Sequence, residues 1–289
     1  MTQLQLFDAM AMRWRAGRAM YRPAREPIDA SQFFVERIPE RAAKEFVVAH
    51  HYSKSFPAAI ASYGLVQRIA PGTTLLVGVA VFSVSMQPRA ADAYGAAGEP
   101  FCELGRFVLL DEVGGNGETF FLARALRHLS RDKLGPDGRA KYKLCLAYSD
   151  PVPRSDLKGN VTLAGHIGGI YGASGGAAYC GRSSPRTLWL APDGTSLSQR
   201  ALSKLRSDDT GARYAYEMLI GHGAPAIVQG ESSRDYVRRA LTTGPFRRLH
   251  HPGNHAYILP AGTHSDRARV RKLVDRGLPR PRSVDQIRC

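Results

Sequence analysis

Acidic side chains are the scarce class in this sequence: 25 Asp and Glu stand against 40 Lys and Arg, a formal net charge of +15. Such a balance points to a polyanionic partner, nucleic acid first and an anionic membrane surface second. Arg outnumbers Lys, which suits bidentate phosphate contacts and also follows from a G+C-rich genome. Long apolar runs are missing as well, so no segment has the length of a membrane span. The first residues lack the apolar core and small-residue cleavage site of a signal peptide, and a soluble protein of the cytoplasm is expected. The four cysteines (Cys102, Cys145, Cys180, Cys289) show no CxxC spacing. That argues against a structural zinc site, and Cys102 and Cys145, in apolar strand-like runs, read as core thiols. A serine hydrolase is not expected, and no HExxH pair, GxGxxG or P-loop occurs, which argues against a zinc protease and a nucleotide-binding loop of standard type.

What is present is a hydrophobic content of 44%, enough for a real core in 289 residues. The stretch ELGRFVLLDEVGGNGETFFLARALRHL, Glu103 to Leu129, reads as buried strand, glycine-rich turn and helix. That geometry directs backbone N–H groups and a helix dipole at one point, which suits a phosphate; a plain strand-to-helix connection is the competing reading. Before it, Glu40 to Ala49 reads as a helix ending in His50-His51-Tyr52, and Ile60–Arg68 with Thr74–Val84 as a hairpin around Ala70-Pro71-Gly72. After it, Tyr142 to Tyr148 reads as a strand that delivers Asp150 at its carboxyl end, where open α/β sheets gather ligands. His166, Ile170 and Tyr171 are expected on a short helix in the glycine-rich run that follows. Residues 197–243 read as a helical insertion and His255–Leu259 as a strand returning to the sheet. His250, His251 and His255 read as turn and strand edge. The termini are basic: residues 1–28 carry five Arg against two acids, and residues 263–289 seven Arg and one Lys against three. The expected organisation is a basic arm over 1–30, a catalytic domain over 31–262 and a flexible basic tail over 263–289.

Three groups are expected to meet in one cleft: His51 with Tyr52, Arg106 with the turn that follows, and Asp150 with His166 and Tyr171. Arg106, in an apolar strand, needs a partner, for which Glu103 and Asp150 are candidates. His51, Asp150 and His166 offer a two-His-one-carboxylate set, although none of their spacings is that of a helical ligand pair.

The ordered set His51-Tyr52-Ser53, Glu103-Leu-x-Arg106, Asn116-x-x-Thr119, Tyr148-Ser-Asp150-Pro151, Gly165 to Ser174 (GHIGGIYGAS), Tyr179 to Gly181 and His251 to Leu259 (HPGNHAYIL) resembles the Mom family of phage DNA-modifying enzymes. The likeness runs from about Lys44 to Leu190 plus the returning strand. It implies a GNAT-like α/β fold, with a mixed, mostly antiparallel twisted sheet flanked by helices. It also implies transfer of a carbamoylmethyl group to the exocyclic amine of adenine in double-stranded DNA, as protection from restriction. By resemblance, acetyl-CoA would place its pyrophosphate on Asn116, Gly117 and Thr119 and its pantetheine arm beside Phe107, Val108 and Leu109. The same resemblance makes His51, Tyr52, Arg106, Asp150 and Tyr171 the catalytic candidates and associates iron with His51, Asp150 and His166. The GNAT cofactor signature is only loosely echoed by VGGNGET, and residues 155–163 lengthen the loop before His166. An ordinary acetyltransferase acting on a protein or small-molecule amine and a non-catalytic DNA-binding protein are the alternatives. The oligomeric state is left open, a dimer included.

Overall fold

The structure, a computed structural model, describes residues 10–15, 18–23, 26–174 and 176–285, the first two ranges by backbone alone. Seven strands make the main sheet. In chain order they are β3 (Phe33–Arg37), β4 (Ala59–Ala70), β5 (Thr73–Ser83), β6 (Phe101–Leu109), β7 (Leu144–Ser149), β10 (Ala178–Arg182) and β13 (His255–Pro260). Their spatial order is β10-β13-β7-β6-β5-β4-β3, and every neighbouring pair is antiparallel except β6 with β7. This is the mixed, mostly antiparallel sheet predicted, flanked by helices.

The sheet is buried on both faces because its strands alternate two apolar sets. Val79 and Val81 of β5 and Val108 of β6 pack on Ala43 and Val47 of α1 (Glu40–His50). Ala80 and Phe82 point the other way, with Phe121, Leu122, Ala125 and Leu129 of α2 (Gly117–Asp132). Leu144 and Leu146 of β7 share the α1 side with Val270 and Val274 of α7 (His264–Val274). The segment expected to be a flexible tail therefore holds a docked helix. A capping box between Thr263 and Asp266 starts it, and two valines four residues apart bury it. Further on, Arg182 grips Asp285 with both terminal nitrogens at 2.7 Å.

Inside the expected N-terminal arm, β1 (Met10–Arg15) and β2 (Arg18–Pro23) form a hairpin joined to β9 (Val161–Leu163) and thence to β8 (Arg154–Ser155). The segment 197–243 carries α4 (Gln199–Arg206), α5 (Ala212–Gly221) and α6 (Ser233–Thr243) around a core of its own that includes Leu202, Leu219, Tyr236 and Val237. It is inserted between two strands of a hairpin, β11 (Arg186–Leu190) and β12 (Arg247–His251).

One feature positions the site. Strands β6 and β7 pair in parallel only over Phe101–Glu103 with Leu144–Leu146. Beyond that β7 continues against β13 alone and β6 against β5 alone, so the two part and open the sheet towards the carboxyl end of β7.

Candidate active site

Where β7 ends, Asp150 turns into the protein and is almost wholly buried. A carboxylate cannot stay charged there without partners, and it has three. Val152 N–H donates to Oδ1 at 3.1 Å, the guanidinium of Arg154 closes on Oδ2, and His251 Nε2 lies 2.9 Å from Oδ1. The tautomer of His251 follows from its other nitrogen. Nδ1 accepts the Gly253 N–H at 3.1 Å, so Nε2 carries the hydrogen and donates to Asp150. Burial alone would raise the Asp150 pKa; the His251 hydrogen bond and the Arg154 charge outweigh it and hold the carboxyl at about 2. Its backbone carbonyl accepts the His166 N–H at 2.7 Å. One residue thus ties the end of β7 to β8, β12 and the loop carrying His166. Asp150 is a saturated anionic anchor, a poor proton acceptor at neutral pH, and it is not the partner of Arg106.

Arg106 instead donates from Nε to the Ser55 carbonyl at 2.9 Å and from Nη2 to Ser55 Oγ at 2.7 Å, with a further contact to the Gly105 carbonyl. Burial lowers its pKa from the usual arginine value. Glu103 also goes elsewhere, bonding Ser85 Oγ at 2.6 Å, and burial raises its pKa.

His51 and Tyr52 follow the last turn of α1, their rings stacked at 4.2 Å between centroids. Ser53 N–H donates to His51 Nδ1 at 3.1 Å, with Ser53 Oγ at 2.8 Å, so the ring's hydrogen sits on Nε2. Burial, then the positive charge of Arg106 and the proximity of the His166 ring, push the His51 pKa down to about 3. His166 is likewise lowered by burial, against the pull of Asp150, and its ring makes no hydrogen bond among the described residues. The Tyr52 hydroxyl is raised by burial and then by the Asp150 charge. Tyr171 is raised by burial, with Tyr52 contributing. Water still reaches His51, Tyr52 and His166, which are half-buried, yet each is strongly desolvated. That combination describes the floor of a crevice. The structure therefore places Arg106 and His166 near His51, Arg106 and Asp150 near Tyr52, Asp150 near His166, and Tyr52 near Tyr171.

The glycines at 165 and 168 make this possible. Both have positive φ, and a Cβ on Gly168 would lie 2.7 Å from the Tyr257 ring, 2.8 Å from Tyr171 and 3.1 Å from Ser149 Oγ. The short helix α3 (Gly169–Ala173) contains Ile170 and Tyr171 but not His166, which stays in the loop before it. Beneath it Tyr171, Tyr257 and Tyr179 lie in a row, and Tyr179 OH is 2.9 Å from His255 Nδ1. Ser149 and His255 are opposite one another in the β7–β13 pair, and Ser149 Oγ and His255 Nε2 are buried without a hydrogen-bond partner among the described residues.

Two expected sites do not assemble. Among the described residues no three His, Cys, Asp or Glu side chains gather as a metal site. Asp150 has both oxygens engaged and His51 turns Nδ1 to Ser53, so His51, Asp150 and His166 do not fit an iron as arranged. The glycine turn does not fit a pyrophosphate either, because the chain's own residues fill it. Gly115 N–H donates to the Glu26 carbonyl at 3.1 Å and Asn116 Oδ1 accepts the Ile28 N–H at 2.9 Å. Thr119 Oγ1 turns back to the Asn116 carbonyl at 3.1 Å. A Cβ on Gly114 would sit 2.3 Å from the Glu26 carbonyl oxygen, and one on Gly117 2.3 Å from Val113 Cγ1. The buried Glu118 in the helix's first turn meets the positive dipole that a phosphate would need. Val108 and Leu109 are core side chains and Phe107 packs on Phe121, so only the backbone edge of β6 remains for a ligand.

His251 and His255 are the residues sequence reasoning passed over. Their signal was there: two histidines flanking a Pro-Gly-Asn turn, but strand periodicity alone does not tell an inward ring from an edge one. No curated protein matches the chain. Residues 32–260 match the family model of the Mom protein family, so this chain belongs to that family, and its setting is phage DNA modification.

Proposed function

We propose that this chain modifies adenine in double-stranded DNA, attaching a carbamoylmethyl unit to the exocyclic amine and so shielding phage DNA from restriction. The observation that carries the reading is the crevice, in which aromatic and neutral nitrogen-bearing side chains converge on one fixed anion. An extruded base needs a slot with flat apolar walls and a few polar groups. Tyr52, half-buried and stacked on His51, supplies a wall, and the buried Tyr171 backs it from the core.

Adenine's amine is a weak nucleophile because its lone pair is shared with the ring, so the proton it sheds as the new N–C bond forms needs a placed acceptor. His166 is the group suited to that role. Desolvation keeps it neutral, its ring is uncommitted among the described residues, and the Asp150 charge stabilises the imidazolium it would become. His51 is less suited, since Nδ1 already accepts from Ser53 and its pKa is about 3. Asp150 acts through position and charge, holding the His166 loop by its carbonyl. Arg106, tied to Ser55, lends positive charge to the same crevice.

The single parallel pair in an otherwise antiparallel sheet, parting after Glu103, supports a GNAT-like relationship and acetyl-CoA as donor. The residues that would hold it are those of the β6 edge at Phe107–Leu109; when bound it would supply the two carbons, while the new N–CH2 bond also calls for a two-electron oxidant and the carbamoyl group for a nitrogen donor, with the thiol of coenzyme A leaving. The test is protection. DNA from cells making the protein should resist restriction enzymes whose sites contain adenine and be cut normally at sites of G and C alone. Equal cutting of both classes, with folded protein present, overturns the reading; an acylated protein or small amine in its place would indicate an ordinary acyltransferase.

A further inference from the structure

Away from the crevice, two of the inserted helices and β11 border an open pocket of about 450 Å³ lined by Trp189, Arg206, Arg234, Arg238, Leu241 and Thr242. Three guanidiniums in one cavity repel each other, and the chain does little to neutralise them. Arg206 and Arg234 make no hydrogen bond or ion pair among the described residues, and Arg238 has only a 3.4 Å contact with Asp235 in which both side chains are mostly exposed. No acid lines the cavity. Elsewhere on the same block arginines are paired: Arg239 meets Glu231 at 2.7 Å and Arg213 meets Glu217 at 2.8 Å. Unpaired arginines grouped around a half-buried Trp are the makings of an anion site with an aromatic wall.

The hairpin β11–β12 connects this cavity to the crevice. Trp189 lies opposite Arg248 in the pairing, so the two share a face, and Arg248 and His250 are exposed while Arg247, Leu249 and His251 turn inward. The inward His251 is the residue that holds Asp150. One two-stranded ribbon therefore carries the cavity's Trp189 on one face and the anchor of the crevice on the other.

We propose that this cavity grips the sugar–phosphate backbone of duplex DNA flanking the target base, making the inserted helices a DNA clamp. The proposal rests on the DNA-modifying reading given above. Guanidinium forks match phosphate oxygens in pairs, and an indole edge packs on the sugar. Contacts of this kind carry no sequence preference and give binding that weakens steeply with salt.

The experiment compares full-length wild type, R234A/R238A and a control, R41A/R213A, which removes the same charge from exposed helix pairs outside the cavity. Anisotropy of a short fluorescent duplex is titrated at several salt concentrations. R234A/R238A is expected to weaken binding about tenfold or more and to make the log K against log salt slope shallower by about two, with the control close to wild type. Should the double variant lose its helical signal, R206Q is measured in its place, with a slope change of about one expected. Wild-type affinity and slope in the cavity variants, or equal loss in the control, overturn the clamp and leave the DNA-modifying reading standing. Absence of salt-dependent duplex binding by the wild type overturns both.

Discussion

At the scale of single residues the proposed chemistry divides the labour between Asp150 and His166. Asp150 is buried against Arg154 and His251, so replacing it with Asn leaves the Arg154 guanidinium uncompensated in the interior. Breaking a buried pair from one side costs about 3–5 kcal/mol. Asp150→Asn is therefore expected to lower the melting temperature by several degrees, with product yield following the folded fraction; an unchanged melting curve would mean the carboxylate is not the anchor described. His166→Asn tests the other half. Its ring holds nothing together, so the melting curve should stay near wild type while product falls at least about a hundredfold, the low end for a placed acid–base group. A folded variant with near wild-type product would remove His166 from the chemistry. His51, Tyr52, Arg106, Asp150, His166 and Tyr171 were all legible as site candidates in the sequence, but their partners were not. A buried Arg and a buried Asp in one site look like a pair on paper. Which arginine reaches the carboxylate depends on the turn after β7, where Pro151 and Pro153 bring Arg154 back.

Elements behave differently. Strand-forming runs and the helical insertion are visible because their periodicity is local, whereas the glycine turn before α2 was ambiguous between phosphate cradle and chain crossing. The structure decides by what lies across it: residues Glu26–Ile28, eighty-eight positions away in the case of the Ile28 bond to Asn116. No local pattern encodes that contact. The same holds for α7, whose short apolar stripe of Val270 and Val274 is hidden in a basic segment. Gly114→Ala would force its Cβ against the Glu26 carbonyl and should destabilise the fold by about 1–3 kcal/mol, the usual cost of overpacking, as read in denaturant melts. Gly168→Ala acts on the site itself. A positive φ and three contacts under or near 3 Å mean that α3 must shift, so product should fall more than stability does. If Gly168→Ala retains full product yield, the packing of Tyr171 over Tyr257 and Ser149 is not what shapes the crevice.

For the whole molecule, buried histidines set the pH range. His51 and His255 are held neutral by burial, with pKa values of about 3 and about 4 in the fold against 6.5 for a free histidine. The unfolded chain takes up protons that the folded one refuses, so this contribution is complete above pH 6.5 and is lost as the pH falls from there towards 4. Each such histidine contributes a slope of about 1.4 kcal/mol per pH unit at most. Melting temperature should therefore drop clearly between pH 7 and pH 5, and a flat profile over that interval contradicts the neutral assignment. Net charge, the most visible property of the sequence, speaks of a polyanionic partner without saying where it lies; only the folded chain gathers Arg206, Arg234 and Arg238 about Trp189, on the opposite face of a hairpin from the anchor of the crevice. The most direct test of the central claim is mass analysis of nucleosides from the DNA of cells expressing wild type and His166→Asn in parallel. Wild type should yield a deoxyadenosine heavier by a carbamoylmethyl group in place of hydrogen, and the variant almost none. Unmodified deoxyadenosine alone in the wild-type sample, with abundant folded protein, would contradict the account.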